Sequence, residues 1–300
     1  MIVVTGATGN TARPAVENLI AHGQKVRVLG RSAEKLAEFA AKGAEPFVCD
    51  AADAASLTRA FTGADAVYAM IPMSPAAQNV LGYYDNISGA LAAAIRDSGV
   101  KYVVALSSIG AHLPERTGPV LGLHRMEAKL NALPGLNVLH LRPASFMENT
   151  LAQIPLIQKM GMMGGIHKGD LRIAMIATRD IGAAAADALE RRNFSGTSTR
   201  ELLGQRELSL DEATKIIGTA LGKPNLSYSR IPESVFKGAL QQMGMSASMA
   251  DGLVELADAM NDGYLKPQET RSARNTTPTS FETFVAEVFV PAFRARGASA

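Results

Sequence analysis

Two glycines stand within the first twelve residues, directly after the apolar run Ile2-Val-Val4. Gly6 and Gly9 lack a Cβ and can adopt positive φ, so the backbone can turn sharply and approach a phosphate closely. The amide groups that open the following helix would point at its negative charge. The spacing Gly-x-x-Gly-x-x-Ala, with Ala12 third, differs from the commonest Gly-x-Gly-x-x-Gly dinucleotide fingerprint. The junction predicts a pyrophosphate site, with an ordinary glycine turn as the alternative.

A cation follows the second predicted strand, residues 25–29. In dinucleotide-binding units, Asp or Glu at this point binds the 2′-hydroxyl of NAD, whereas Arg accommodates the 2′-phosphate of NADP. Arg31 stands here, Lys35 comes one helical turn later, and residues 30–33 contain no acid. The sequence therefore favours NADP(H) as cofactor, with a solvated loop arginine as the alternative.

Composition and charge exclude several classes of protein. The 300 residues are 47% hydrophobic and 19% charged, which is typical of a globular chain. The net charge is +2 and the basic residues are dispersed, so we expect no nucleic-acid partner. No paired Cys and His spacing indicates a metal.

Cysteine usage and the apolar segments bear on location. The single cysteine, Cys49, cannot form an internal disulfide and ends a predicted strand as a small buried residue. The first strand begins at Ile2 and leaves no room for a signal peptide. No uncharged apolar stretch is long enough to span a bilayer. We expect a cytoplasmic protein without a membrane partner.

Strands and helices alternate regularly through the first half of the chain, as a parallel sheet requires. The run 66–71 is apolar throughout, as in buried parallel strands. This pattern predicts an α/β fold with a doubly wound parallel (Rossmann) sheet, whose ligands bind at the carboxyl ends of the strands. The predicted strands begin at Ile2 and cover 25–29, 45–49, 66–71, 102–106 and 137–141; the predicted helices cover 33–42 after the cap Ser32, 54–61 after the cap Asp53, 77–98 and 122–133.

The alternation fades after Pro143. Helices are predicted over 178–190, 208–221, from Ser229 onward, and over an apolar 284–293 segment. Met243, Met245, Met249 and Met260 in this region fill a core, or form a lid over an apolar ligand. We predict a dinucleotide-binding domain over 1–150 and a smaller, mainly helical substrate lobe over 151–300 that is partly interleaved with the sheet.

Five stretches stand out along the chain: Thr5-Gly-Ala-Thr-Gly-Asn10, Leu106-Ser-Ser108, Leu141-Arg-Pro-Ala-Ser-Phe-Met-Glu-Asn149, Arg179-Asp-Ile181 and Thr277-Pro-Thr-Ser-Phe-Glu-Thr-Phe284. Together they resemble the NmrA-like branch of the atypical short-chain dehydrogenases, over nearly the whole chain. Within the branch, the chain is most similar to NAD(P)H-dependent quinone, azo-dye and triphenylmethane-dye reductases. The resemblance implies bound NADP(H) and a small aromatic or quinonoid substrate. The branch also contains redox-sensing regulators that bind the dinucleotide without turning it over.

The resemblance also assigns cofactor contacts, position by position. It implies that the glycine turn contacts the pyrophosphate, that Arg31 contacts the 2′-phosphate and that Asp50 contacts the adenine edge. It also implies that two residues after the fourth strand contact the nicotinamide-side ribose and that four residues after the sixth strand lie near the nicotinamide. The turn residues are Gly6, Thr8, Gly9, Asn10 and Thr11; the others are Ile71 and Pro72, and Pro143, Ala144, Ser145 and Phe146.

The chain departs from the short-chain dehydrogenase pattern at the catalytic helix. Those enzymes use a Tyr and a Lys four residues apart, the phenol as proton donor. Here Arg125 precedes Lys129, and His124 faces another direction as a structural or rim residue. Lys129 is predicted to bind the nicotinamide ribose, or to be a solvated cation. Ser108 is a candidate catalytic hydroxyl, or a strand-end hydroxyl like its neighbour Ser107.

Without a protein acid, the favoured reactions are those in which hydride transfer is the only difficult step. Reduction of a conjugated acceptor is such a reaction, because it gives a delocalised anion that water can protonate. Phe146, Met147 and Asn149 follow the sixth strand and are predicted to line a pocket for a flat acceptor, or to pack in the core. The predicted function is an NADPH-dependent reductase of a small flat conjugated acceptor such as a quinone or dye; the alternative is a non-catalytic NADP(H)-binding redox sensor.

Overall fold

The computed structural model describes residues 1–297. In chain order, the strands there are β1 (Ile2–Val4), β2 (Val26–Gly30), β3 (Glu45–Val48), β4 (Ala66–Ala69), β5 (Tyr102–Leu106), β6 (Asn137–Pro143), β7 (Ser145–Phe146), β8 (Met163–Gly165), β9 (Arg172–Ile176), β10 (Thr197–Leu202), β11 (Glu207–Ser209) and β12 (Tyr228–Arg230).

The α-helices of the same residues are α1 (Ala12–Ala21), α2 (Ala33–Ala40), α3 (Ala54–Phe61), α4 (Val80–Ser98), α5 (Val120–Asn131), α6 (Ile154–Met160), α7 (Thr178–Arg191), α8 (Leu210–Ala220), α9 (Glu233–Gln242), α10 (Ala247–Asn261), α11 (Phe281–Phe284) and α12 (Val290–Gly297). A 3₁₀ helix covers Met147–Gln153, and a π-helical turn covers Val285–Phe289.

Seven parallel strands form the main sheet, in the order β10-β6-β5-β4-β1-β2-β3. The strand order reverses at β1, since β2 lies on one side of it and β4 on the other. In open α/β sheets, this reversal opens a crevice at the carboxyl edge. The predicted doubly wound sheet is confirmed.

Helices cover both faces of the sheet. Helices α1 and α7 contribute to one core, and α3, α4 and α5 contribute to the other. The approach of α7 to α1 depends on Gly182, because a Cβ there would lie 2.7 Å from the backbone nitrogen of Ala15. A third core lies under the lobe, whose strands form the small sheets β11-β9-β7 and β12-β8.

The predicted caps form. Ser32 accepts a hydrogen bond from the backbone nitrogen of Lys35, and Asp53 accepts one from that of Ser56. The helix predicted over 77–98 begins later, at Val80, because the Asn79 side chain caps it through the backbone nitrogen of Gly82.

Several other boundaries differ from the sequence prediction. The helix predicted over 33–42 ends at Ala40, and the helical region predicted from Ser229 onward begins at Glu233, because β12 precedes it. The strand predicted over 66–71 ends at Ala69, and the helix predicted over 122–133 runs from Val120 to Asn131. The helix predicted over 208–221 begins at Leu210, because β11 precedes it. Strand β10 and helix α7 follow residue 150, yet they belong to the main sheet and its covering layer. Within residues 1–297, no helix is both long enough and apolar enough to cross a membrane.

Candidate functional site

A cavity of about 1110 Å³ runs along the carboxyl edge of the main sheet. The loops that follow the six strands β1 to β6 line it. Helix α10 and the segment after it form another part of its wall. Its volume exceeds what one small ligand needs, so the cavity can hold a large ligand and a second one beside it.

Most of the residues predicted from the sequence lie together on the wall of this cavity. They are Gly6, Thr8, Gly9, Asn10, Thr11, Arg31, Asp50, Ile71, Pro72, Ser108, Pro143, Ala144, Ser145, Phe146 and Asn149. Two others, Met147 and Lys129, are not on the wall.

The glycine turn is held by its own backbone. The nitrogen of Gly9 donates to the oxygen of Gly6 at 2.8 Å. Gly6 has a φ of +61°, and a Cβ there would lie 2.5 Å from Met70 Sδ. Gly9 does not adopt positive φ, contrary to the sequence expectation; it is close approach that restricts it, since a Cβ would lie 3.1 Å from the oxygen of Gly6.

The start of α1 leaves backbone donors open towards the cavity. Thr11 is the N-cap residue, but its side chain does not cap the helix and its hydroxyl instead accepts from Tyr68 Oη at 3.2 Å. The backbone N–H groups of Thr8, Asn10 and Thr11 have no hydrogen-bond acceptor within residues 1–297. Unpartnered amides at a helix N-terminus attract an anion, and here they line the cavity.

An arginine, a carboxylate and a thiol lie on the cavity wall next to β2 and β3. Arg31 is exposed and has no carboxylate within 4 Å in the described part of the chain. Asp50 accepts from the backbone nitrogen of Ala52 at 2.9 Å. Cys49 is only partly buried, contrary to expectation; burial and then the charges of Asp50 and Asp53 raise the pKa of its thiol to about 11, so it stays protonated.

Lys129 lies away from the cavity and is fully engaged. Its Nζ is 2.8 Å from Asp85 Oδ1 and 2.7 Å from Ser88 Oγ. Arg125 also binds Asp85, at 2.6 Å. Burial acts to raise the pKa of Asp85, but the hydrogen bonds with these two cations lower it below its ordinary value. The ribose-binding role expected for Lys129 is therefore not supported: its ammonium joins α5 to α4.

Met147 is 2% exposed and belongs to the core of the lobe, with Ile154 and Phe289. The 3₁₀ helix begins at this residue, so the chain turns as it leaves β7. The pocket-lining role predicted for Met147 gives way to core packing, while Phe146 and Asn149 do line the cavity.

The hydroxyl at the end of β5 belongs to a buried polar network that the sequence did not indicate. Ser107 Oγ donates to Glu127 Oε1 at 2.5 Å, and Arg142 donates to both oxygens of Glu127, at 2.9 and 2.6 Å. Burial acts to raise the pKa of Glu127, but Arg142 and its other neighbours hold it below its ordinary value. Glu127 therefore stays ionised and accepts the hydrogen bond from Ser107.

The side chains of Ser108 and His124 are also hydrogen-bonded within the protein. Ser108 Oγ donates to the oxygen of Ile109 at 2.9 Å, and Nδ1 of His124 lies 2.9 Å from the oxygen of Ala111. Because a serine hydroxyl has one hydrogen, neither Ser107 nor Ser108 presents a free donor to the cavity.

Two tyrosines on α4 line the cavity and were missed by sequence reasoning. Tyr83 Oη donates to the oxygen of Pro72 at 2.9 Å. Tyr84 is 8% exposed, and burial raises the pKa of its phenol to about 12. A further part of the wall comes from residues 256–267 and includes Leu256, Met260, Leu265, Lys266 and Pro267. Only Met260 among these was predicted from the sequence, as a core or lid residue. In residues 1–297, no group of three His, Cys, Asp or Glu is placed to hold a metal ion.

A family model described as the NmrA-like family matches residues 1–285. The chain belongs to the NmrA-like family. This NmrA-like chain is 28% identical over 269 residues to a protein named NAD(P)H azoreductase from Xenophilus azovorans, covering 88% of the chain and 89% of the relative. It is 30% identical over 226 residues to a (4-alkanoyl-5-oxo-2,5-dihydrofuran-3-yl)methyl phosphate reductase of Streptomyces griseus, covering 75% of each.

Among solved structures, the NmrA-like chain is similar to an NADPH-dependent quinone oxidoreductase of Escherichia coli in complex with NADPH. The TM-score is 0.79 at 26% sequence identity, and the match covers 96% of this chain and 100% of the other. The family resemblance expected from the sequence is confirmed.

Proposed function

We propose that this chain is an NADPH-dependent reductase that transfers hydride to a small flat conjugated acceptor such as a quinone or a dye. One observation carries the proposal. A single cavity joins the phosphate-type turn and the unpaired Arg31 to an apolar, partly aromatic wall around Phe146.

The chain is an NAD(P)H-dependent oxidoreductase that uses NADP(H), as its family and relatives indicate. Its residues fit that cofactor. The open N–H groups at the start of α1 suit a pyrophosphate, and Arg31, with no acid beside it, suits a 2′-phosphate. A Cβ at Gly6 would lie 2.5 Å from Met70, and a Cβ at Gly9 would lie 3.1 Å from the oxygen of Gly6, so the turn leaves no room for side chains at these two positions.

The cavity wall is predominantly apolar. Phe146, Leu123, Leu256 and Met260 are among its apolar residues, and Asn149 adds a polar group. An aromatic ring stacks well on such a wall, and methionine adapts to rings of different shape. Three relatives support this acceptor class, since their names specify an azo group, a quinone and an unsaturated keto-lactone phosphate.

The polar groups at the end of β5 favour hydride chemistry without a protein acid. Bound NADPH would supply a hydride, which is one hydrogen with two electrons, and the acceptor would then take one further proton from water. Ser107 and Ser108 have their hydrogens committed to Glu127 and Ile109. The protein binds and orients the two reactants and places them in contact.

The test is NADPH consumption by the pure protein with a panel of quinones, azo dyes and conjugated enones. We expect oxidation with at least one class, and slower oxidation of NADH. Tight NADPH binding without oxidation by any acceptor, together with a cofactor-dependent change in protease sensitivity of the C-terminal lobe, would instead indicate the sensor.

A further inference from the structure

Tyr84 lines the cavity at a point where a glycine of helix α5 leaves room for its ring. It lies near the start of α4, and its ring packs against Gly122 of α5. A Cβ at Gly122 would lie 2.4 to 2.5 Å from atoms of Tyr84, so only glycine permits this contact. The ring is therefore held firmly beside the cavity.

Tyr84 lines the cavity, and its hydroxyl is free to donate a hydrogen bond. The hydroxyl has no hydrogen-bond partner within residues 1–297, and its oxygen is accessible rather than fully enclosed. The adjacent Tyr83 differs, because its hydroxyl donates to the oxygen of Pro72. The hydrogens of Ser107 and Ser108 are committed as well.

We infer that Tyr84 is a catalytic residue whose hydroxyl donates a hydrogen bond to the acceptor oxygen on which negative charge develops. The inference rests on the proposed reductase function. Addition of one hydride to a quinone leaves one negative charge, shared with a carbonyl oxygen. A hydrogen-bond donor held in place on the wall of the cavity stabilises such a charge.

Burial supports the role of donor over that of acid. Because burial raises the pKa of the Tyr84 phenol to about 12, the phenol keeps its hydrogen throughout the neutral range. The oxygen of the reduced acceptor takes its proton from water that enters the cavity, and Tyr84 remains neutral. Tyr84 thus supplies at the cavity wall the hydroxyl that α5 lacks, from a different helix.

The first test compares Tyr84→Phe with Tyr102→Phe as matched control, because Tyr102 does not line the cavity; the acceptors are 1,4-naphthoquinone and a cationic triphenylmethane dye. Phenylalanine keeps the ring against Gly122. We expect Tyr84→Phe to lower kcat for the quinone by about 10- to 100-fold, the effect of one hydrogen bond to a charged group. Hydride addition to the dye cation removes charge and forms no oxyanion, so its kcat should be unchanged. Equal losses for both acceptors would overturn the inference.

A second test needs no turnover. The NADP⁺-loaded protein is titrated with 4-nitrophenolate, which mimics the oxyanion, and binding is followed by its absorbance shift. We expect Tyr84→Phe to weaken binding about tenfold or more, and Tyr102→Phe to leave it unchanged.

Unchanged phenolate affinity in Tyr84→Phe would overturn the role of Tyr84. So would a loss confined to Ser145→Ala, since Ser145 also lines the cavity and its hydroxyl has no hydrogen-bond partner in the described chain. A wild type that reduces no acceptor, yet binds phenolate through Tyr84, would refute the reductase function and not the oxyanion contact.

Discussion

Ser107 donates its hydroxyl hydrogen to Glu127 at 2.5 Å, and the carboxylate is fixed in turn by Arg142. Ser107 lines the cavity at the end of β5, where short-chain dehydrogenases keep a hydroxyl. Since its one hydrogen points at Glu127, Ser107 can only accept hydrogen bonds from a ligand. This relationship favours hydride transfer to a conjugated acceptor over alcohol and carbonyl chemistry that needs a serine donor.

Arg31→Ala should weaken NADPH binding by about 10- to 100-fold, because it removes one charge-assisted contact with the 2′-phosphate. NADH affinity should change little. Titration of both cofactors by reduced-nicotinamide fluorescence measures this, with Arg96→Ala as control, since Arg96 is an exposed arginine paired with Asp97 outside the cavity. Equal losses for NADPH and NADH would remove Arg31 from the 2′-phosphate site.

Gly9→Val should abolish binding of both cofactors and leave most of the fold intact. Its side chain would start 3.1 Å from the oxygen of Gly6 and fill the space that a pyrophosphate needs. Gly238→Val is a control, since nothing lies within 4 Å of a Cβ there. Thermal melting and fluorescence titration are measured on both. Wild-type NADPH affinity in a normally folded Gly9→Val protein would place the phosphate site elsewhere.

Lys129→Met should leave NADPH affinity within about twofold of wild type, because Lys129 binds Asp85 and Ser88 rather than the cavity. The pair is partly exposed, so we expect a stability loss of only about 0–1 kcal/mol from urea unfolding. A loss of NADPH affinity of tenfold or more would restore the ribose contact that the sequence suggested.

Glu127→Gln should lower the free energy of unfolding by about 3–5 kcal/mol at pH 7, because it leaves Arg142 buried without its counter-charge. Glu17→Gln, in the exposed pair with Lys42, should cost at most about 1 kcal/mol. Urea unfolding of the three proteins provides the measurement.

The same pair sets a pH dependence. The pKa of Glu127 is lowered in the folded state, so its stabilisation is fully present above the ordinary value of 4.5 and is lost as pH falls through the lower folded value. The stability gap between wild type and Glu127→Gln should therefore narrow below pH 4.5. A gap that is constant down to pH 3 would contradict the ion pair.

Local sequence sufficed for the parts of the site that are built locally. The turn from Gly6 to Thr11 and the cation Arg31 each follow a strand whose pattern is plain, so their places on the sheet edge were predictable. Strand β10 was missed because its sequence, Thr-Ser-Thr-Arg-Glu-Leu, is mostly polar and mostly not buried, as edge strands are.

Contacts between distant parts of the chain were not predictable. Lys129 is engaged by Asp85, 44 residues away, and nothing near Lys129 indicates that partner. Tyr84 of α4 lines the cavity and packs against Gly122 of α5, and Met260 lines the same cavity from α10. Met147 and Phe146 are adjacent and both apolar, and the 3₁₀ turn at that point decides which one lines the cavity.

The central claim is that hydride passes directly from NADPH in this cavity to a conjugated acceptor. The most direct measurement mixes the preformed NADPH complex with an accepted quinone in a single turnover and follows absorbance at 340 nm, using NADPH deuterated at either C4 position. We predict full loss of absorbance, slowed by deuterium at one of the two positions only. A complex that stays reduced, or oxidation that is equally fast with both labels, would contradict it.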